Sequence, residues 1–298
     1  MTTSRKFAYI ALTLNAIIWG AAFPIIKPAF NLITPVQYLY FRFLVAGLLS
    51  LPIFLVYYYK VHPKMSYNIK VLLIELIGLP LPLYLLYEGL ARTSALDASL
   101  IGATGPIFVV LGGILFLHER ETKREWQGLA LALAGSLLIV GEPLLLGLHS
   151  DTASSTVGNL LILGYNILWT IYAVIAKKQY KKKPPLYHGA LTYLATALIF
   201  AVILASQGSL PSFTLLSNPI ILIPVLYMAV PGGILAFALY LYGQSKIEVS
   251  EANLFTYLNG PVAIPVSFLL LGEKPSLLTL FAILLIALGV YRSEKRTH

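Results

Sequence analysis

Apolar residues run in ten long blocks, and polar residues gather between them. The blocks span roughly 7–26, 36–58, 69–90, 97–117, 125–141, 157–177, 187–206, 219–242, 250–271 and 276–292. A helix rises about 1.5 Å per residue, so about 20 apolar residues cross a bilayer core. The blocks are continuous and rich in Leu, Ala and Ile, not alternating residue by residue, which predicts membrane-spanning helices and not barrel strands. The few polar positions inside them recur. Asn15, Trp19 and Lys27 in the first block are echoed by Asn166, Trp169 and Lys177 in the sixth. In both copies Trp precedes Lys by eight positions and follows an Asn by about a turn, which keeps the three near one helix face.

A second set of matches extends the repetition. Arg92, Asp97, Glu119 and Gly135 map onto Lys246, Glu251, Glu273 and Gly289 with one offset of 154, whereas the first and sixth blocks match at 150. Leu117-His118-Glu119 pairs with Leu271-Gly272-Glu273, and Pro106 with Pro261 after a slip of one residue. The long connection lacking an apolar core is 142–156. The chain therefore divides into a five-helix repeat over 1–141, an outer connecting loop over 142–156, and a second five-helix repeat with a tail over 157–298. Five is odd, so the second copy starts from the opposite side of the membrane. The fold expected is an all-α integral membrane protein of ten transmembrane helices in two inverted five-helix repeats around a central cavity.

Charge sets the orientation. With the N-terminus in the cytoplasm, 17 Lys and Arg residues fall in inner loops and 3 outside, namely Lys27, Arg92 and Lys274, with Arg42 inside a helix. Both termini are thus expected to be cytoplasmic in a multi-pass protein of the cell membrane. The net charge of +9 does not imply nucleic acid, because the cations lie in short loops between spans. Hydrophobic residues make up 58% of the chain and charged ones 11%, with a mean hydropathy of +0.81, outside the range of soluble domains. Arg5 and Lys6 precede a block long enough to span, so no cleaved leader is expected. The absence of cysteine removes disulfides, thiolate metal sites and thiol nucleophiles. The five histidines lack metal-ligand spacing, and no glycine-rich phosphate loop is present. No metal, cofactor or enzymatic activity is expected.

Asn15-x-x-x-Trp19-Gly20, Phe41-Arg42-Phe43-Leu-Val-Ala-Gly47 and the paired helix ends Pro106…Glu119 and Pro261…Glu273 resemble the EamA type of the drug/metabolite transporter superfamily. The resemblance implies ten helices in two inverted repeats, and exporters of amino acids, other metabolites and drugs. Sugar-nucleotide and phosphate-ester exchangers share the superfamily fold, but no intramembrane pair of basic residues is set here for a phosphate. The expectation is a secondary carrier working by alternating access, moving amino acids or similar amphipathic compounds outward. Its partners would be the lipid bilayer, a small-molecule cargo and coupling protons, with the chain a monomer or homodimer. The rivals are a channel, which needs a continuous polar ring, and an intramembrane enzyme, which needs an acid, base or metal cluster at one depth.

Prolines bend helices and free carbonyls, which only protein or cavity water satisfies in a membrane. Pro80, Pro82, Pro106, Pro224, Pro231, Pro261 and Pro265 therefore mark the third, fourth, eighth and ninth blocks, with the first and sixth, as pathway helices. Their candidate cargo contacts are Asn15, Trp19, Tyr84, Tyr87, Thr104, Asn166, Trp169, Tyr172, Tyr240, Tyr257 and Asn259. Trp19 and Trp169 either stack on cargo or simply pack. Glu75 is the candidate for proton coupling, against a carboxylate paired with Lys70. Arg42 reads as a structural or snorkelling charge near a membrane rim, against a cavity cation or a brace between helices. Glu119 and Glu273 read as structural carboxylates capping the helix that follows, against ion pairs that change between open states. Glu88 is expected to pair with Arg92, and Lys27 to end its helix by snorkelling.

Overall fold

The computed structural model describes residues 3–61, 65–102, 104–105, 108, 112, 116, 122–145, 152–179, 185–247, 252 and 255–294. Among these residues the chain is helical, with no strand. Helix α1, Thr3–Ile26, runs into a 3-10 turn at Lys27–Asn31. Helix α2, Pro35–Val61, starts on a reciprocal cap: the Gln37 backbone N–H donates to Thr34 Oγ1, and the Thr34 N–H donates to Gln37 Oε1. Pro35 fills the first helical position, where its missing N–H costs nothing.

The third apolar block is two helices, α3 at Met65–Gly78 and α4 at Pro80–Arg92. The break falls where Pro80 has no N–H to continue the ladder. Next come α5 at Ala95–Gly102, α6 at Lys123–Leu145, α7 at Thr152–Gln179 and α8 at Pro185–Ser206. The eighth block is likewise interrupted. Helix α9, Pro219–Ala229, passes through a π turn at Val230–Leu235, which holds Pro231-Gly232-Gly233, into α10 at Ala236–Lys246. A 3-10 turn at Phe255–Leu258 precedes α11 at Asn259–Leu271, and α12 is Leu277–Glu294.

Four segments among the described residues are long and apolar enough to cross a membrane: Arg5–Asn31, Pro35–Lys60, Leu72–Arg92 and Pro219–Lys246. Their outward faces are apolar too. Phe7, Ile10, Leu14 and Ile17 on α1, and Leu277, Leu280, Leu284 and Leu288 on α12, are all exposed at helical spacing. Such stripes are too extensive for a water-facing surface and suit hydrocarbon.

Packing is between the two parts of the chain at least as much as within them. α2 lies along α8, α6 along α12, α4 against α7, and α1 against α10 and α11. The α4–α7 crossing is tight because two glycines meet. A Cβ on Gly89 would sit 2.7 Å from the Gly158 carbonyl oxygen, and one on Gly158 would sit 2.9 Å from that of Gly89. At the α1–α10 crossing a Cβ on Gly243 would lie 2.5 Å from Leu12 Cγ. Gly89→Val should cost about 1–3 kcal/mol, the usual toll of overpacking, because backbone on both sides has to move. Thermal unfolding in detergent checks this. Gly102→Ala is the control, since its Cβ would meet Phe23 at an ordinary 3.7 Å.

Candidate functional site

Between the two parts of the chain lies a cavity of about 130 Å³. Its walls are mostly aromatic: Trp19 and Phe23 from α1, Tyr87 from α4, Tyr165 and Trp169 from α7, Tyr193 from α8, and Phe237 from α10. Leu79, Leu83, Leu86 and Met228 fill between them, and Ser99, Asn259 and Arg42 are its polar members. Several lining residues stand in pairs at the sequence offsets. Trp19 and Trp169 are 150 apart, while Leu79 with Gly233 and Leu83 with Phe237 are 154 apart.

Arg42 is the charged residue of the lining and is 6% exposed. Its Nη1 donates to the Tyr87 hydroxyl at 2.6 Å, and its guanidinium carbon lies 4.9 Å from the Phe43 ring centre and 5.6 Å from that of Tyr87. Arg92 pairs with Glu88, as the i,i+4 spacing predicts, and no Asp or Glu shares the cavity lining with Arg42. A guanidinium at depth costs about 2.5–3.5 kcal/mol on insertion scales. Ring faces and one phenol offset part of this.

The freed carbonyls of the π turn are used. Trp19 Nε1 donates to Gly232 O at 2.8 Å and the Tyr193 hydroxyl to Gly233 O at 3.1 Å, so two cavity aromatics are held by the irregular backbone. Tyr87, Trp169 and Asn259 complete the expected residues that line the cavity. Asn259 Oδ1 is buried without a hydrogen-bond partner.

Other expected contacts lie elsewhere. Asn15 and Asn166 are each 1% exposed and tie helices together. Asn15 Nδ2 donates to Ala236 O at 2.9 Å; Asn166 Nδ2 donates to Ile101 O and Thr104 Oγ1, both at 2.9 Å. Thr104 is thereby a partner of Asn166, and Tyr240 packs at 5.4 Å behind Trp19. Tyr84 is 38% exposed, about a quarter of a turn round α4 from the lining position Leu83 and about a sixth from Tyr87. Glu119 lies outside the described residues, as does the side chain of Tyr257.

Glu75 is 4% exposed within α3. Tyr172 from α7 donates to its two carboxylate oxygens at 2.9 and 3.1 Å, so Tyr172 reaches Glu75 and is not among the cavity lining.

Two charges act differently from expectation. Lys27 does not snorkel. Its ammonium turns inward and donates to the Leu90, Ala91 and Thr93 carbonyls at 2.6, 3.2 and 2.5 Å, closing the C-terminal end of α4. Glu273 caps a distant helix, not the following one, whose cap is Ser276, its Oγ accepting from the Thr279 N–H. The Glu273 carboxylate accepts from the Ala95 and Leu96 N–H groups at 3.2 and 3.0 Å, while Ser94 Oγ accepts from Asp97 N–H. The first two donors of α5 are thus satisfied by a residue just past α11. Gly272, at φ 70°, ends α11 in the left-handed conformation and swings Glu273 toward α5.

Among the lining residues not foreseen were Phe23, Tyr165, Tyr193, Phe237, Met228 and Ser99. The offset of 154 carries Leu83 onto Phe237, and that of 150 carries Phe43 onto Tyr193, so the repeat held a usable signal.

The chain is similar over nearly its whole length to known proteins. An uncharacterized transporter of Archaeoglobus fulgidus is 25% identical over 296 residues, covering 97% of this chain and 98% of that one. The uncharacterized transporter YdfC of Bacillus subtilis is 28% identical over 263 residues, 88% of this chain and 83% of the relative. The uncharacterized inner membrane transporter YedA of Escherichia coli K12 is 26% identical over 283 residues, 92% and 89%. A solved crystal structure superposes with a TM-score of 0.70 at 19% identity, covering 94% of both chains, a likeness of fold. With the apolar spans already described, and with the family model matching twice, over residues 6–141 and 156–293, the chain belongs to the EamA-like transporter family.

Proposed function

We propose that this membrane transporter is a secondary carrier that moves a small amphipathic metabolite outward by alternating access, with 1–141 and 157–298 as inverted five-helix halves. Reciprocity of contacts carries the reading. Gly89 of α4 packs on Ile162 of α7, and Gly243 of α10 packs on Leu12 of α1. Gly243 is Gly89 plus 154, and Ile162 is Leu12 plus 150, so each contact is the other with the halves exchanged. Phe43 and Tyr193, 150 apart, touch each other with ring centres 5.9 Å apart. A residue that touches its own counterpart lies near a pseudo-twofold axis, and the cavity lies beside Tyr193. The separate family matches to the two parts support the same division.

Two near-equivalent halves give two states of similar free energy, which alternating access requires. The inner excess of Lys and Arg supports cytoplasmic termini. Glu75, buried and tied to the opposite half through Tyr172, supports a proton as the coupling ion. A phosphate-ester exchanger is disfavoured because the lining offers one cation, Arg42.

The chain has no cysteine, so single-cysteine variants report without background. In sealed vesicles Ser209→Cys should react with impermeant maleimide only from the outer side and Lys60→Cys only from the inner. In proteoliposomes, flux of amino acids and aromatic acids should saturate and show counterflow. Both cysteines reacting from one side would end the inverted topology; linear flux without counterflow would end the carrier.

A further inference from the structure

The geometry points to an aromatic monocarboxylate without an ammonium group as the cargo, its carboxylate received by the Arg42 guanidinium and its ring by the aromatic walls. This rests on the carrier reading and narrows it. Arg42 is nine-tenths buried and shares the cavity lining with no Asp or Glu. A guanidinium has five N–H donors in a planar fork, and Arg42 spends one on the Tyr87 phenol. A bound carboxylate would supply the missing counter-charge and accept two of the rest.

The other chemistries fit worse. No Asp or Glu lines the cavity, so an ammonium would sit beside Arg42 with no carboxylate in contact with it. The carbonyls of Gly232 and Gly233 already accept from Trp19 and Tyr193. Asn259 Oδ1 is sealed from solvent, and Ser99 Oγ donates to Ala95 O. An amino acid would therefore lose the hydration of its ammonium without replacement. A phosphate dianion would meet only one cation. Size agrees with a single ring, since an engineered apolar cavity of about 150 Å³ holds benzene and this one measures about 130 Å³.

The test uses purified full-length protein in detergent and four matched probes: phenylacetate, phenylacetamide, phenethylamine and L-phenylalanine. Binding is read by quenching of tryptophan fluorescence, to which Trp19 and Trp169 contribute from the cavity, and by thermal shift. Phenylacetate is expected to bind saturably and the other three at least about tenfold more weakly, the worth of a charge-assisted pair. Arg42→Lys, which keeps the charge and loses the fork, should weaken phenylacetate about tenfold, and Arg42→Gln should abolish its preference over the amide. Amide, amine or amino acid binding as tightly as the acid would overturn the inference and leave the carrier standing. So would phenylacetate binding unchanged in Arg42→Gln. No response to any of the four would bring down the cavity as a cargo site along with the inference. The probe ranking on the unaltered protein decides the matter even if an Arg42 variant does not fold.

Discussion

Glu273→Ala is expected to speed the labelling of a Ser99→Cys reporter from the outer side by about 5–30-fold. The carboxylate joins the two halves at one end of the molecule: it extends from beyond α11 in the second half and accepts two backbone N–H groups of α5 in the first. With the proposed orientation, that end faces outward, so the observed conformation is the one in which this tie is made. Hydrogen bonds to an ionised group contribute about 1.5–3 kcal/mol when well buried, and Glu273 is half-buried, so about 1–2 kcal/mol is a reasonable loss. If the bond exists in only one of two states, removing it moves the equilibrium toward the other by that amount, which sets the labelling ratio. Ser99 lines the cavity and is 3% exposed, so its reactivity follows the opening of that side. Glu273→Gln, which retains one acceptor oxygen, should fall between. A melting temperature that drops in Glu273→Ala while outer labelling of Ser99→Cys stays put would make Glu273 a helix cap and nothing more.

How far the sequence led depends on which physical constraint each feature obeys. The spans were legible because hydrocarbon demands a continuous apolar run, and α1, α2, α7, α8 and α12 begin and end within a few residues of the blocks. Of the prolines expected to bend helices, Pro80 and Pro231 stand where the helix is interrupted, whereas Pro224 and Pro265 lie within α9 and α11. Trp19 and Trp169, found by their recurrence, both line the cavity. Polar side chains were harder to place, because a buried amide serves whichever group lacks a partner. Asn15 and Asn166 turn to the Ala236 and Ile101 carbonyls on neighbouring helices, and no local pattern announces those acceptors. Tyr84 missed the cavity by helical phase, which a short apolar segment around two prolines leaves undefined. Glu273 and Lys27 reach helices remote in sequence, and their spacing could not reveal which ones. Arg42, expected as a structural charge near the rim, instead holds the Tyr87 hydroxyl and faces the cavity.

Glu75→Gln is expected to uncouple transport from a pH gradient while sparing exchange. Glu75 is the carboxylate that lies 4% exposed within a span, and its two oxygens accept from a tyrosine of the other half. An ionised carboxylate only accepts hydrogen bonds, whereas a protonated one also donates, so a proton alters what Glu75 offers to Tyr172. Because α3 and α7 belong to opposite halves, that change acts on the contact between them, where alternating access would be felt. Glutamine matches the shape and neutrality of the protonated acid and cannot release a proton. In proteoliposomes loaded with cargo, an imposed gradient should drive net flux in the parent protein by about tenfold or more, the factor a unit of pH supplies to a one-proton carrier, and should leave Glu75→Gln near its rate without a gradient. Counterflow at equal pH should persist, because exchange returns the carrier loaded and needs no net proton movement. Tyr172→Phe separates coupling from packing: it removes the donor, keeps the ring that packs at 5.3 Å on Trp169, and should weaken gradient-driven flux more than counterflow. Net flux in Glu75→Gln that still follows the gradient would remove Glu75 from the coupling path and leave its bond to Tyr172 as a structural tie between the halves.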